Sequence, residues 1–384
     1  MDFSWSTSQL ALKQRVIEFA QKQLNEPSAD RVERDLQGKF SNENWQKCAD
    51  FGVQGLCMPK QYGGADESLM TTVLAMEGLG YGCTDSGLTL ALNTQIWTVQ
   101  MVILLFGSES QKQRYLPPMC EGKWIGVHAL SEPEAGSDVY SLTTQAVPCE
   151  GGYRLTGQKK FITSAPICDV ALVFATTDPK LGKWGLNAYL IEATAAGFSR
   201  SPSKAKMGLR TVPFGEIFLE DCFVPEENRL GPEGAGFSIS HSSLEYDRCF
   251  TLASQLGAME RQLEQTIDYA KSRAQFGQSI GKFQSVSNRI ADMKLRLEMA
   301  RLLLYKVAWM KEKGESALLE ASLLKLHLSE AAVASGLDAV RIHGGNGYLS
   351  EYEVERDLRD AVGGVIYAGT SDIQRNLISR SLGL

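Results

Sequence analysis

The chain has 384 residues, with 39 Lys and Arg against 45 Asp and Glu, a net charge of −6. That length corresponds to about two to three domains, and so mild a charge argues against nucleic acid or an anionic membrane surface as partner, since either would favour a basic face. With 43% hydrophobic and 22% charged residues the composition is that of a globular protein large enough to build a core without staples.

The N-terminal third is helical in pattern. Leu10, Leu12, Val16, Ile17, Phe19 and Ala20 recur near the 3.6-residue period. A second helix is expected over residues 41–51, with Ser41 as its N-cap. The turn-rich PKQYGGAD at 59–66 breaks the pattern. Further helices are expected over 69–79 and 94–106, the second apolar enough to be buried on most sides. Around Trp124 the period changes. Residues 153–157 alternate, and 170–175, 188–191 and 216–219 are short β-type runs between Gly, Pro and Thr clusters, as in a small sheet or barrel. Residues 225–236 read as a Pro/Gly/Glu linker. From Phe237 helical stripes return at 256–273 and 283–312, followed by an Ala-, Leu- and Ser-rich stretch at 316–342.

The expected class is therefore α+β multidomain: an N-terminal helical domain over 1–122, a middle β-barrel-like domain over 123–230 and a C-terminal helical bundle over 231–384. No run of 18 uninterrupted apolar residues occurs, so no membrane span is expected. The polar N-terminus, without an apolar segment or cleavage site, is not that of a secretory signal. Eight cysteines without a C-x-x-C pair or zinc-finger spacing read as reduced thiols, which implies no metal and a cytoplasmic location.

Four segments carry more than core packing. Ser131-Glu-Pro-Glu-Ala-Gly-Ser-Asp138 forms a tight turn whose free N–H groups can meet cofactor oxygens. Lys159-Lys-Phe-Ile-Thr-Ser164 puts a ring, Phe161, and a hydroxyl, Thr163, on one side of a strand. The segment from Tyr269 to Gln284 supplies Arg273, suited to pyrophosphate, and the amides of Gln275 and Gln284, with Gly277 and Gly281 between two helices. Last, His343-Gly-Gly-Asn-Gly347 and Ile366-Tyr-Ala-Gly-Thr-Ser-Asp372 bring glycines to one helix end and a polar N-terminus to the next. Each alone is also explained by an ordinary turn, strand or cap.

In this order and spacing, the four segments resemble the acyl-CoA dehydrogenase superfamily over essentially the whole chain. The resemblance implies a helical domain, a middle β domain and a C-terminal four-helix-bundle domain. It also implies FAD between the last two, within a homotetramer. His128, Leu130 and Ser131 match positions at the isoalloxazine edge. Ser137 matches a serine near pyrophosphate and thioester, Phe161 the aromatic over the flavin, and Thr163 the hydroxyl near flavin N5. Arg273, Gln275, Phe276 and Gln284 match a segment that reaches a neighbouring subunit's FAD. Arg341, Gly345, Thr370 and Asp372 match the C-terminal FAD contacts.

Dehydrogenation of an acyl thioester requires a base for the α proton and a flavin for the β hydride. Many relatives carry a Glu immediately before Gly-Thr-Ser, where this chain has Ala368. A branch that includes isovaleryl-CoA dehydrogenases places the base on an earlier helix, directly before an Arg. Here that helix reads Ser243-Leu-Glu-Tyr-Asp-Arg-Cys249, which matches Asp247 to the base and Arg248 to the Arg. Glu245 is the rival and points about 200° away on an ideal helix. It matches a position associated with the substrate's pantetheine arm. Ser137, Glu245, Arg248 and Ala368 are thus the expected substrate contacts. Residues 78–97 resemble a branch from natural-product assembly lines that oxidises aminoacyl groups, notably prolyl, on a carrier protein; a short or branched acyl-CoA is the alternative substrate.

Overall fold

The computed structural model describes residues 4–384. Helices come first: α1 (Thr7–Phe19), α2 (Ser28–Gln37), α3 (Asn42–Phe51), α4 (Leu69–Gly82), α5 (Ser86–Thr94), α6 (Met101–Phe106) and α7 (Glu109–Cys120). Ser41 caps α3 as expected, its hydroxyl accepting from Asn44 N. The apolar helix starts earlier than its hydrophobic period suggested. Asp85 caps it by accepting from Leu88 N, and a π-helical segment, Gln95–Gln100, joins α5 to α6. This stretch, Ser86–Phe106, is long and apolar enough to cross a membrane, but 83% of its most apolar window is buried inside the protein.

The middle of the chain is a sheet of β1 (Gly126–Ala129), β2 (Gln145–Cys149), β3 (Gly152–Thr163), β4 (Val170–Thr176), β5 (Leu186–Glu192), β6 (Phe198–Arg200), β7 (Phe214–Pro225) and β8 (Arg229–Leu230). Its order is β6-β7-β3-β2-β4-β5-β8, with β1 parallel to β4. Every residue of β4 is buried, as a continuous apolar run requires of a strand covered on both faces. The two halves of the sheet meet at a single parallel pair, Gln145 with Thr176. The expected linker at 225–236 contains β8, which adds to β5.

The last part comprises α8 (Gly236–Phe250), α9 (Ala253–Ser272), a hairpin of β9 (Ala274–Gln275) and β10 (Gln278–Ser279), α10 (Gln284–Glu312), α11 (Leu318–His343), α12 (Val354–Gly364) and α13 (Ser371–Ser381). The N- and C-terminal helices share one core. Glu77 on α4 is fully buried and accepts from Lys13 on α1 and from Arg301 and Tyr305 on α10. Beside it α4 and α9 cross at backbone contact: a Cβ on Gly80 would lie 1.8 Å from Ser254 O, and one on Gly257 would lie 1.9 Å from Glu77 O.

Gly257→Ala must therefore separate α4 from α9. The expected outcome is a loss of ~1–3 kcal/mol or more in denaturant unfolding, the range of core overpacking. Gly136→Ala, where an added Cβ meets nothing within 4 Å, should leave the midpoint in place.

Candidate active site

α8 carries both candidate carboxylates and presents them to different neighbours. Asp247 faces inward. Its Oδ1 accepts from Thr251 Oγ1 at 2.6 Å. Burial raises the Asp247 pKa, while the Thr251 hydrogen bond, Arg248 and Lys325 act against that rise. Glu245 faces α10, where Lys311 Nζ lies 3.1 Å from its Oε1 and 4.7 Å from the Tyr246 ring centre. Neither carboxylate is in an ion pair with Arg248, whose Nε is buried without a hydrogen-bond partner.

Tyr367, directly before Ala368, lines a small cavity together with Thr251, the residue that ends this helix. Ala368 has φ of +56° and Gly369 of +84°. Gln374 Nε2 ties down both carbonyls, at 3.2 and 3.0 Å. Thr370 caps α13 by accepting from Ile373 N. Asp372 lies in the first turn, where its charge suits the helix dipole. Thr251 and Tyr367 also line a cavity of ≈ 20 Å³ with Leu90, Ser254 and Ala258. That volume is close to one water and admits no long chain.

A second group gathers at the sheet. His128 is on β1, and burial together with the Lys159 charge pushes its pKa down to about 4, so the ring is neutral at pH 7. Its Nε2 is buried without a protein partner. Leu130 and Ser131 are pinned by β3: Leu130 O accepts from Lys159 Nζ at 3.2 Å, and Ser131 O accepts from Lys160 N at 2.9 Å. The β3–β7 register shifts between Lys159 and Ile162. In that bulge Phe161 adopts φ of +63° and stays 58% exposed, 6.1 Å from the Phe214 ring. Thr163 is half-buried at the end of β3.

The organising pair here is Glu132 with Lys159, which the sequence did not single out. Both side chains are almost fully buried, 2.7 Å apart. Glu132 also accepts from the amides and hydroxyls of Thr143 and Thr144. Burial raises its pKa, but Lys159 and these donors outweigh that and hold it down at about 2. The pair folds the 131–138 turn against β3 and leaves Ser137 exposed at its rim.

The third group stands apart from both. Arg273 caps α9, and the β9–β10 hairpin beyond it carries Gln275 and Phe276, the latter 94% exposed with φ of +51°. Gln284 opens α10 and is exposed. Within one chain these residues do not reach the sheet group. Arg341 and Gly345 lie by the end of α11, where Tyr269 stacks on His343 at 4.1 Å.

Comparison with known proteins agrees with this architecture. Residues 6–123, 128–222 and 234–383 match the N-terminal, middle and C-terminal domains of acyl-CoA dehydrogenase, respectively. The chain belongs to the acyl-CoA dehydrogenase family. Among its relatives is the L-prolyl-[peptidyl-carrier protein] dehydrogenase of Pseudomonas fluorescens, 44% identical over 90% of this chain and 91% of that one. The Serratia enzyme of the same description is 40% identical over 100% and 99%. The crystal structure of the prolyl acyl carrier protein oxidase AnaB superposes with TM-score 0.97, at 49% identity, over 99% of this chain and 100% of that one. The structure of PigA with FAD and proline gives 0.96 at 41% identity over the whole of both chains.

Glu132→Gln leaves the Lys159 charge buried and unpaired. The expected loss at neutral pH is ~3–5 kcal/mol of unfolding free energy. Glu132 has a folded pKa of about 2 against 4.5 in the unfolded chain. Its stabilisation is therefore present above the unfolded value and lost as pH falls towards about 2. The gap between parent and variant in thermal unfolding should narrow over that window.

Proposed function

We propose that the protein is an FAD-dependent oxidoreductase that oxidises a prolyl thioester carried on a peptidyl carrier protein, with Asp247 as the base. Two kinds of support meet here. The prolyl and carrier-protein part rests on the relatives, whose names describe that substrate. The base rests on one observation: of the two partly buried carboxylates on α8, Glu245 is paired with Lys311, while Asp247 has a hydroxyl as its hydrogen-bond partner.

The residues present fit a flavin. His128 offers an unpartnered buried Nε2, Phe161 an exposed ring, and the Thr370 cap a helix N-terminus suited to an anion. We assign His128, Leu130, Ser131, Ser137, Phe161 and Thr163 to one side of FAD, and Arg341, Gly345, Thr370 and Asp372 to the other. When bound, FAD supplies the hydride acceptor. The hairpin bearing Arg273, Gln275 and Phe276, with Gln284, would serve the flavin of a neighbouring copy in a homotetramer. The near-complete exposure of Phe276 supports this.

Asp247 takes the α proton onto its carboxylate. Thr251 fixes the orientation of that carboxylate, and its partial burial strengthens it as a base. Ala368 leaves the Gly369–Thr370 corner without a competing carboxylate. Ser137, Arg248 and the Glu245 side of α8 border the path of the thioester arm.

Anaerobic flavin bleaching separates the substrates. Prolyl carrier protein should reduce the flavin ~10-fold or more faster than isovaleryl-CoA or butyryl-CoA, within the discrimination that one small pocket can supply. A preference for a short or branched acyl-CoA would overturn the carrier-protein reading. A protein that retains no flavin would overturn the cofactor assignment.

A further inference from the structure

One buried charge has no part in the chemistry above. Lys325 lies inside α11, in the apolar run Leu323-Leu-Lys-Leu. Its side chain is fully buried, and Nζ has no hydrogen-bond partner. An ammonium buried without a hydrogen bond is costly to the fold, and packing alone would be better served by a thioether or alkyl chain. α11 packs on α8, and the charges that face Lys325 are Asp247 and Arg248 from α8 and Glu330 from its own helix. The Glu330 carboxylate is turned to Arg375 at 2.6 Å. Asp247 is thus the carboxylate left to this ammonium. From its own side, Asp247 is faced by Arg248 on α8, Thr251 at the end of that helix, Lys325 on α11 and Tyr367 before α13.

We propose that Lys325 is a positioning residue for the base: its buried, unpartnered ammonium on α11, the helix packed against α8, supplies the countercharge that favours the carboxylate form of Asp247. The proposal rests on Asp247 being the base. A carboxylate must be free of its proton before the substrate arrives, and the burial that sharpens its basicity also works against that. A positive charge on the neighbouring helix resolves the conflict without occupying the oxygens needed for the reaction. Burial pushes the Lys325 pKa down to about 8, with Asp247 acting against the shift, so at pH 7 the ammonium is largely charged. Arg248, on the base's own helix, contributes the larger positive charge at Asp247, and Lys325 adds to it from α11.

The test is Lys325→Met, similar in length and uncharged, beside Lys325→Arg, which keeps the charge. Single-turnover flavin reduction is followed against pH. With Met the acid limb should move up by about one unit or more, because a larger share of Asp247 is protonated at neutral pH. The rate should recover to near the parent value on the alkaline side. Thermal stability should hold or rise, since a buried charge has been removed, and Lys325→Arg should return the limb towards its parent position. An infrared titration of the protonated-carboxyl band that Asp247→Asn deletes supplies a readout independent of turnover. That band should persist to higher pH in Lys325→Met.

A rate lowered equally at all pH values, or a band that titrates as in the parent, would overturn the proposal and leave the base assignment standing. If Asp247→Asn reduces flavin at the parent rate, the base assignment fails, whereas the infrared titration still decides whether Lys325 governs the ionisation of Asp247.

Discussion

The site depends on how α8 is rolled about its axis. Two carboxylates two residues apart on a helix diverge by about 200°, so one roll angle decides which meets a lysine and which meets a hydroxyl. Packing fixes that angle. Phe250 lies 4.8 Å from Trp97, and Ser243 is buried with its hydroxyl directed at Thr98 O. Lys311 reaches across from α10 to hold Glu245 on the opposite side. With those contacts made, Asp247 can only point towards Thr251, α11 and the segment before α13. A side chain one methylene shorter than Glu is thereby held by a hydroxyl 2.6 Å away. The reach lost in the side chain is met by a fixed orientation rather than by flexibility.

The sheet answers this helix with an equally constrained surface. The buried Glu132–Lys159 pair turns the chain after β1 back onto β3, and the following bulge presents Phe161 outward. A regular strand could alternate Phe161 and Thr163, but it would not give Phe161 its left-handed backbone. Strain of that kind costs on the order of 1–3 kcal/mol per residue, and it persists where the surroundings determine it. Here those surroundings are an ion pair satisfied by two threonines and a register shared with β7. The sheet half of the candidate site thus rests on a buried ion pair, Glu132 with Lys159, and a buried, unpartnered lysine, Lys325, lies in α11, which packs on α8.

The helix–strand–helix succession was legible because hydrophobic period reports it directly. What period could not show were local exceptions. The π-helical turn at 95–100 lies inside an apolar run that reads as helix either way. β8 is two residues long in a Pro- and Gly-rich stretch, and β7 extends well beyond residues 216–219 because its outer face carries Glu216, Glu220 and Asp221. The site residues divide similarly. Asp247, Glu245 and Ala368 stand out in the sequence because the resemblance to acyl-CoA dehydrogenases assigns those positions. Glu132 and Lys325 do not, although each carries a signal: a carboxylate inside a turn, and a lysine inside an apolar stripe. Their partners lie 27 residues away on β3 and on a different helix, a distance over which no local pattern speaks.

The central claim is that the inward carboxylate of α8, and not the paired one, takes the substrate proton. Single-turnover flavin reduction at saturating thioester isolates that step from binding and reoxidation. Asp247→Asn keeps the shape and removes the basicity, so it should retain flavin and thioester binding while reduction slows by ~10² or more. Glu245→Gln should instead weaken binding, with a smaller effect on the rate at saturation. Reduction abolished in Glu245→Gln and unchanged in Asp247→Asn would contradict the account.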